Sequence, residues 1–160
     1  MKIIKAQTPQ DMAQAKALFQ AYADTLDFDL AFQGFLQEVS GLPGPYAPPH
    51  GAILLAYENG QALGCVALKP LEPKICEMKR LFVRPEVRRK NLGKKLAEAI
   101  IHLAKSMGYE RMRLDTVPQF AEAISLYKAL GFRPIEAYSH NPLEGALYFE
   151  RCLSSPEKPT

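Results

Sequence analysis

Apolar and polar positions along this chain follow two periods, near 2 and near 3.6, and the switches between them mark out its elements. Residues 2–6 form a short apolar run suited to a strand. Thr8-Pro9-Gln10-Asp11 reads as a helix start, with Thr8 as the N-cap, Pro9 at the first helical position and Asp11 in the first turn. Met12, Ala15, Leu18, Phe19 and Tyr22 then recur at helical spacing. A second short helix is expected over residues 30–39, with Phe32, Phe35, Leu36 and Val39 on one face. Pro43, Pro45, Pro48 and Pro49 make residues 41–51 a loop. Two apolar runs, 52–57 and 63–68, bracket Asn59-Gly60, a strong signal for a tight hairpin.

After Pro70 and Pro73 a third strand is expected over 75–83. Leu92, Leu96, Ile100, Leu103 and Met107 form a helical stripe that Gly108 ends. A strand over 111–117, a helix over 120–130 stopped by Gly131, and closing strands near 132–138 and 146–153 complete the pattern. Alternating hairpins and crossover helices imply an α/β (α+β) fold, a mixed sheet with helices on its faces. The strand–helix–strand unit from residue 75 to 117 should be a right-handed parallel crossover.

At 160 residues the expected organisation is one domain over 1–153 with a flexible tail over 154–160. Hydrophobic residues make up 48% and charged residues 23%, ordinary for a water-soluble domain. The amino terminus shows no signal-peptide pattern and no run approaches a membrane span, so a cytoplasmic protein without membrane contact is expected. Cys65, Cys76 and Cys152 are odd in number and widely spaced, which favours reduced thiols. His50, His102 and His140 lie far apart and none pairs with a cysteine at ligand spacing, so no metal is expected. The net charge of +3 is modest, and the one basic stretch lacks interleaved aromatic residues, which argues against a nucleic-acid partner.

That stretch carries the chemistry. Six of the twelve residues from Arg84 to Lys95 are basic. Gly93 removes a side chain where the helix begins, and Asn91 tolerates positive φ better than most residues. Together they permit a turn whose backbone N–H groups converge on an anion at a helix N-terminus. Arg88, Arg89 and Lys94 would add full charges, and the natural ligand is a pyrophosphate. A solvated basic loop is the alternative. Against it, Lys94 and Lys95 occupy a first helical turn that normally prefers acidic residues.

From Val83 through Arg88, Asn91 and Gly93 the sequence resembles the acyl-CoA signature of the GNAT superfamily of N-acetyltransferases, with Asn91 where the first glycine is usual. Ala123-Ile124-Ser125-Leu126-Tyr127-Lys128-Ala129-Leu130-Gly131-Phe132 is similar to the family's later helix-then-strand block, and Glu77 to Val83 fits the strand before the turn. Phe120 stands where many relatives carry an asparagine that contacts the cofactor. The resemblance implies a mostly antiparallel sheet around a central parallel β-α-β crossover. It also implies acetyl-CoA as co-substrate, bound by Leu81, Phe82, Val83, Arg88, Arg89, Lys90, Asn91, Leu92, Gly93 and Lys94. The acceptor would be a small-molecule or peptide amine attacking directly. A non-catalytic acyl-CoA sensor is the alternative, and a homodimer through the last strands is left open.

Acetyl transfer to an amine needs a polarised carbonyl, a proton acceptor for the ammonium and a proton donor for the departing thiolate. The family's arrangement implies that a backbone N–H among residues 81–83 polarises the carbonyl. Tyr127, four residues before Gly131, is the candidate acid, or else part of an apolar face with Ile124 and Leu130. Strand alternation would put Ile75, Glu77, Lys79, Leu81 and Val83 on one face. Glu77 is the candidate base, or else a structural ion pair with Lys79 or Arg113. Asp115 is the rival carboxylate, as base or as a holder of the acceptor's ammonium. Tyr22, Phe28, Phe32, Phe35 and the 43–49 loop should border the acceptor pocket, with 141–145 as a loop over the site.

Overall fold

The fold is that of a computed structural model, which describes residues 1–26, 29 and 34–153, the side chains of 88–90 excepted. Strand β1 (Lys2–Lys5) leads into helix α1 (Pro9–Asp24), then α2 (Phe35–Ser40) and a short 3-10 turn, Gly44–Tyr46. Three strands follow, β2 (Ala52–Glu58), β3 (Gln61–Glu72) and β4 (Ile75–Val83). A 3-10 turn at Pro85–Lys90 enters α3 (Leu92–Ser106), and β5 (Arg111–Thr116), α4 (Ala121–Ala129), β6 (Arg133–Ile135) and β7 (Leu147–Cys152) complete the chain. The seven strands lie in the order β1-β2-β3-β4-β5-β7-β6. Every neighbouring pair is antiparallel except β4 and β5. This is the mixed sheet with one parallel crossover that the element order implies.

Local chemistry explains the starts and turns. Thr8 Oγ1 accepts from the Asp11 N–H at 3.0 Å while Asp11 Oδ2 accepts from the Thr8 N–H at 3.2 Å, a reciprocal cap for α1. These backbone donors, with that of Gln7 foremost, hold the Asp11 carboxyl below its ordinary range. Asn59 and Gly60 both take positive φ, as a two-residue hairpin turn demands. β3 runs four residues beyond the expected 63–68 at its far end and includes Pro70. The β2 ladder stops at Leu68, so Pro70 costs no hydrogen bond on that side.

Two cores lie on opposite faces of the sheet. Leu96, Ile100, Met112, Leu114 and Phe132 belong to the α3 side, and Ala15, Leu18, Phe19, Phe35 and Tyr46 to the α1 side. Gly64 lets α3 lie close to the sheet, because a Cβ there would sit 2.9 Å from Leu96 Cδ1 and 3.1 Å from the Phe82 carbonyl oxygen. Leu36, expected on the inward face of the second helix, is 76% exposed, whereas Phe35 is buried. That helix begins at Phe35, and the earlier positions Leu30 and Phe32 fall outside the described residues, as does the 154–160 tail. No helix among the described residues is long and apolar enough to cross a membrane.

Candidate active site

β4 and β5 begin as neighbours and do not stay so. Their ladder covers Ile75 with Arg111, Cys76 with Met112 and Glu77 with Arg113, while β4 continues to Val83. The two strands then border a cleft of about 710 Å³. Leu81, Phe82 and Val83 line one wall, Leu114, Asp115 and Thr116 the other. Asn91, Gly93 and Lys94 also line the cleft, as does Tyr127 of α4.

The turn into α3 adopts the conformation its residue types permit. Asn91 sits at φ 60 and ψ 25, and its side chain makes no capping hydrogen bond to the first turn of the helix. Acidic residues are absent from that turn. Among the described residues, a Cβ built on Gly93 would meet just one side-chain atom, Val83 Cγ2, at 3.9 Å. Protein packing therefore does not require glycine here, and the space beside it suits a group that must approach the backbone closely. Amide donors that the Asn91 side chain leaves uncapped, a helix dipole, the exposed Lys94 and an open glycine together fit a pyrophosphate. Leu92 is 1% exposed and packs in the α3-side core, so its backbone alone faces the turn. For Arg88, Arg89 and Lys90 the 3-10 backbone is described and the side chains lie outside the described residues.

Tyr127 packs in the core and also borders the cleft. Its ring packs edge-on to Phe132 with centroids 5.8 Å apart, and its side chain also lines the cleft. Burial pushes its phenol well above the ordinary range, with the Tyr22 phenol and the Asp115 carboxylate adding to the effect. The proton stays on the oxygen at any physiological pH.

The expected single face of β4 is corrected by the backbone. Arg80 takes φ 61 and the register to β3 shifts between Cys65–Phe82 and Ala67–Lys79. The bulge flips the alternation, so that Met78, Leu81 and Val83 all pack on the α3 side while Phe82 joins the α1-side core. Two adjacent charges inside an apolar strand were the signal for this irregularity. Arg80 donates to Glu38 from Nε at 2.8 Å and Nη2 at 2.7 Å, and its guanidinium lies over the Phe35 ring at 5.4 Å. This buried pair, far apart in sequence, sits beside the cleft that Arg80 itself lines.

Glu77 is 5% exposed and is not among the cleft's lining residues. Its Oε2 accepts from the Tyr138 hydroxyl at 2.7 Å, and Lys69 Nζ lies 3.6 Å from Oε1. Arg113 instead pairs with Glu150 and Glu72. Asp115 does line the cleft, and its Oδ2 accepts from Asn141 Nδ2 at 3.1 Å. Lys79 also faces the cleft, its ammonium pKa lowered by burial and partly restored by the Glu77 and Asp115 carboxylates. Of the residues expected around the acceptor, Tyr22, Asn141 and Leu143 line the cleft. Phe35 and the 43–49 loop do not, and Phe28 and Phe32 fall outside the described residues. No group of three metal-ligating side chains occurs among the described residues.

Comparison with known proteins agrees with this architecture. An uncharacterised N-acetyltransferase of Schizosaccharomyces pombe is 43% identical over 156 residues, covering 96% of each chain. A GNAT-family acetyltransferase of Staphylococcus aureus superposes with a TM-score of 0.79 at 21% identity, covering 95% of this chain and 98% of that one. The PaiA N-acetyltransferase of Thermoplasma acidophilum, solved in complex with coenzyme A, gives 0.73 at 18% identity, covering 95% and 99%. Residues 14–132 match the model of the acetyltransferase (GNAT) family, and the chain belongs to that family.

Proposed function

We propose that the protein transfers the acetyl group of acetyl-CoA to a primary amine by direct attack of that amine. The observation that carries the reading is the meeting, in one cleft, of the uncapped 91–94 turn, the parted edge of β4 and the buried Tyr127 phenol. The co-substrate supplies a thioester, an acyl group activated for attack by nitrogen.

Asn91, Leu92, Gly93 and Lys94 hold the pyrophosphate through backbone N–H groups and the Lys94 charge, with the basic 88–90 stretch beside them. A backbone N–H within the Leu81–Val83 segment polarises the carbonyl oxygen, an effect worth about 3–4 kcal/mol in well-measured cases. Asp115 takes a proton from the acceptor's ammonium, directly or through water, and passes it to solvent. The amine nitrogen then bonds to the carbonyl carbon, the carbon–sulfur bond breaks, and the nitrogen gives up its second proton to solvent to leave the neutral amide. Tyr127 gives its phenolic proton to the departing sulfur and regains one from solvent. Asp115 is preferred to Glu77 because it lines the cleft, while Glu77 stands behind with Tyr138 and Lys69. A small-molecule or peptide amine fits this chemistry equally.

Release of free CoA, followed with a thiol reagent across a panel of amino acids, polyamines, arylalkylamines and short peptides, tests the reading. Tyr127→Phe is expected to lower turnover about 100-fold while acetyl-CoA affinity stays within twofold. Because burial keeps the phenol protonated, native turnover should show no downward limb from this group as pH rises to 9.5. Unchanged turnover in Tyr127→Phe at saturating substrates would remove the residue from the mechanism. A protein that binds acetyl-CoA yet releases no CoA with any amine would be the sensor instead.

A further inference from the structure

Asp115 projects from β5 toward the α1 side, since its neighbours Met112 and Leu114 pack in the core on the other face. That is the side away from α3. Its carboxylate meets a segment that the sequence pattern assigned in part to strands, residues 136–146 between β6 and β7. The segment is tied down at several points. Tyr138 bonds Glu77, Tyr148 Oη donates to the Ser139 carbonyl at 2.8 Å, and Tyr138 packs edge-on to Tyr148 at 5.2 Å. Gly145 takes φ 76 against Pro118, where a Cβ would come within 3.1 Å. It is a strap laid across the end of β5.

Asn141 is the strap's contact with the cleft. Its Oδ1 accepts from the Leu143 N–H at 2.9 Å, which leaves no choice of amide orientation. Nδ2 must therefore face Asp115, and it does, at 3.1 Å to Oδ2. Among the described residues this is the Asp115 carboxylate's one hydrogen-bond partner. One carboxylate oxygen is fixed by an oriented donor, and Asp115 lines a cleft that Tyr22, Lys79 and Leu143 also line.

We infer that Asp115, held by Asn141, is the docking point for the acceptor's ammonium group, so that the protein selects aliphatic amines that arrive protonated. This rests on the acetyl-transfer reading and narrows it to a substrate class. A neutral amine, such as an aromatic one, can offer a carboxylate oxygen only an uncharged hydrogen bond and is discriminated against at this point. Asn141 is a positioning residue, since it acts through Asp115 rather than on the substrate.

The test is a binding measurement that needs no turnover. Butylamine and phenethylamine, both cations at pH 7.5, are compared with butanol and 2-phenylethanol on the CoA-loaded full chain by ligand-observed NMR titration. Each amine is expected to bind at least about tenfold more tightly than its alcohol. Asp115→Asn should abolish that preference. Asn141→Ala should reduce it about fivefold or more, and should change nothing further in the Asp115→Asn background. The CoA dissociation constant should stay within twofold in all three variants, which a general loosening of the fold would not allow. Amines that bind no better than alcohols, or do not bind, overturn the inference, as does a full preference in Asn141→Ala. Failure of acetyl transfer itself appears separately, as absent CoA release with amines that nevertheless bind.

Discussion

Replacing Gly93 by alanine separates what the turn does for the protein from what it does for a ligand. The new Cβ would stand 3.9 Å from Val83 Cγ2, an ordinary contact, and would meet no other side chain among the described residues within 4 Å. Gly93 lies in the first turn of α3, where alanine is favoured over glycine by about 0.5–1 kcal/mol. For a chain of this size each kcal/mol moves the melting temperature by about 2–4 °C, so the ligand-free variant should melt about 1–4 °C higher. The same methyl group occupies the space through which a pyrophosphate oxygen reaches the backbone. Losing one charge-assisted hydrogen bond there costs about 1.5–3 kcal/mol, or about 10–100-fold in affinity. With CoA at about 100 times the native dissociation constant, the native protein gains about 2.7 kcal/mol. A tenfold weaker variant gains about 1.4 kcal/mol at the same concentration, so its ligand-induced rise in melting temperature should be roughly halved. Thermal scans with and without CoA, checked by calorimetry, read both quantities. A variant that melts lower without ligand, or keeps the full CoA-induced rise, would refute the assignment of this turn.

Other expectations follow from buried groups. Glu38→Ala leaves the Arg80 guanidinium, whose side chain is 3% exposed, without its bidentate partner. Breaking such a pair costs about 3–5 kcal/mol, so the melting temperature should fall by about 6–20 °C, and a loss under about 1 kcal/mol would show that the pair is solvated. Burial pushes the thiols of Cys65 and Cys76 up to about 12, so both remain protonated at pH 8, whereas Cys152 is exposed. A thiol-selective reagent at that pH should modify one cysteine of the native protein and all three after denaturation.

The amino-acid pattern was most legible where a single physical rule governs a segment. The Thr8 cap, the Asn59-Gly60 turn and the α3 stripe each follow from local chemistry and stand where the sequence places them. Asn91 in a left-handed conformation before an uncapped helix follows in the same way. The misreadings arose where two distant segments settle one residue's position. Period-two alternation cannot see the bulge at Arg80, whose guanidinium is seated by Glu38, 42 residues away, and lies over the Phe35 ring. Nor can it show that Glu77 is held by Tyr138, 61 residues on, while Asp115 faces the cleft. β6 was read too long for a related reason. Residues after Ile135 trade ladder bonds for contacts with Glu77, Asp115 and Tyr148.

In the sheet ladder just three described residue pairs join β4, the last of the amino-terminal four strands, to β5, the first of the carboxy-terminal three. The molecule is built like a book whose spine is short and whose pages fall open along most of their length. A guest pressed between those pages touches both, so its affinity and the cohesion of the two leaves are one equilibrium viewed from either end. Whatever fills the opening first spares the second arrival part of the ordering cost, and donor and acceptor should each tighten the other's hold.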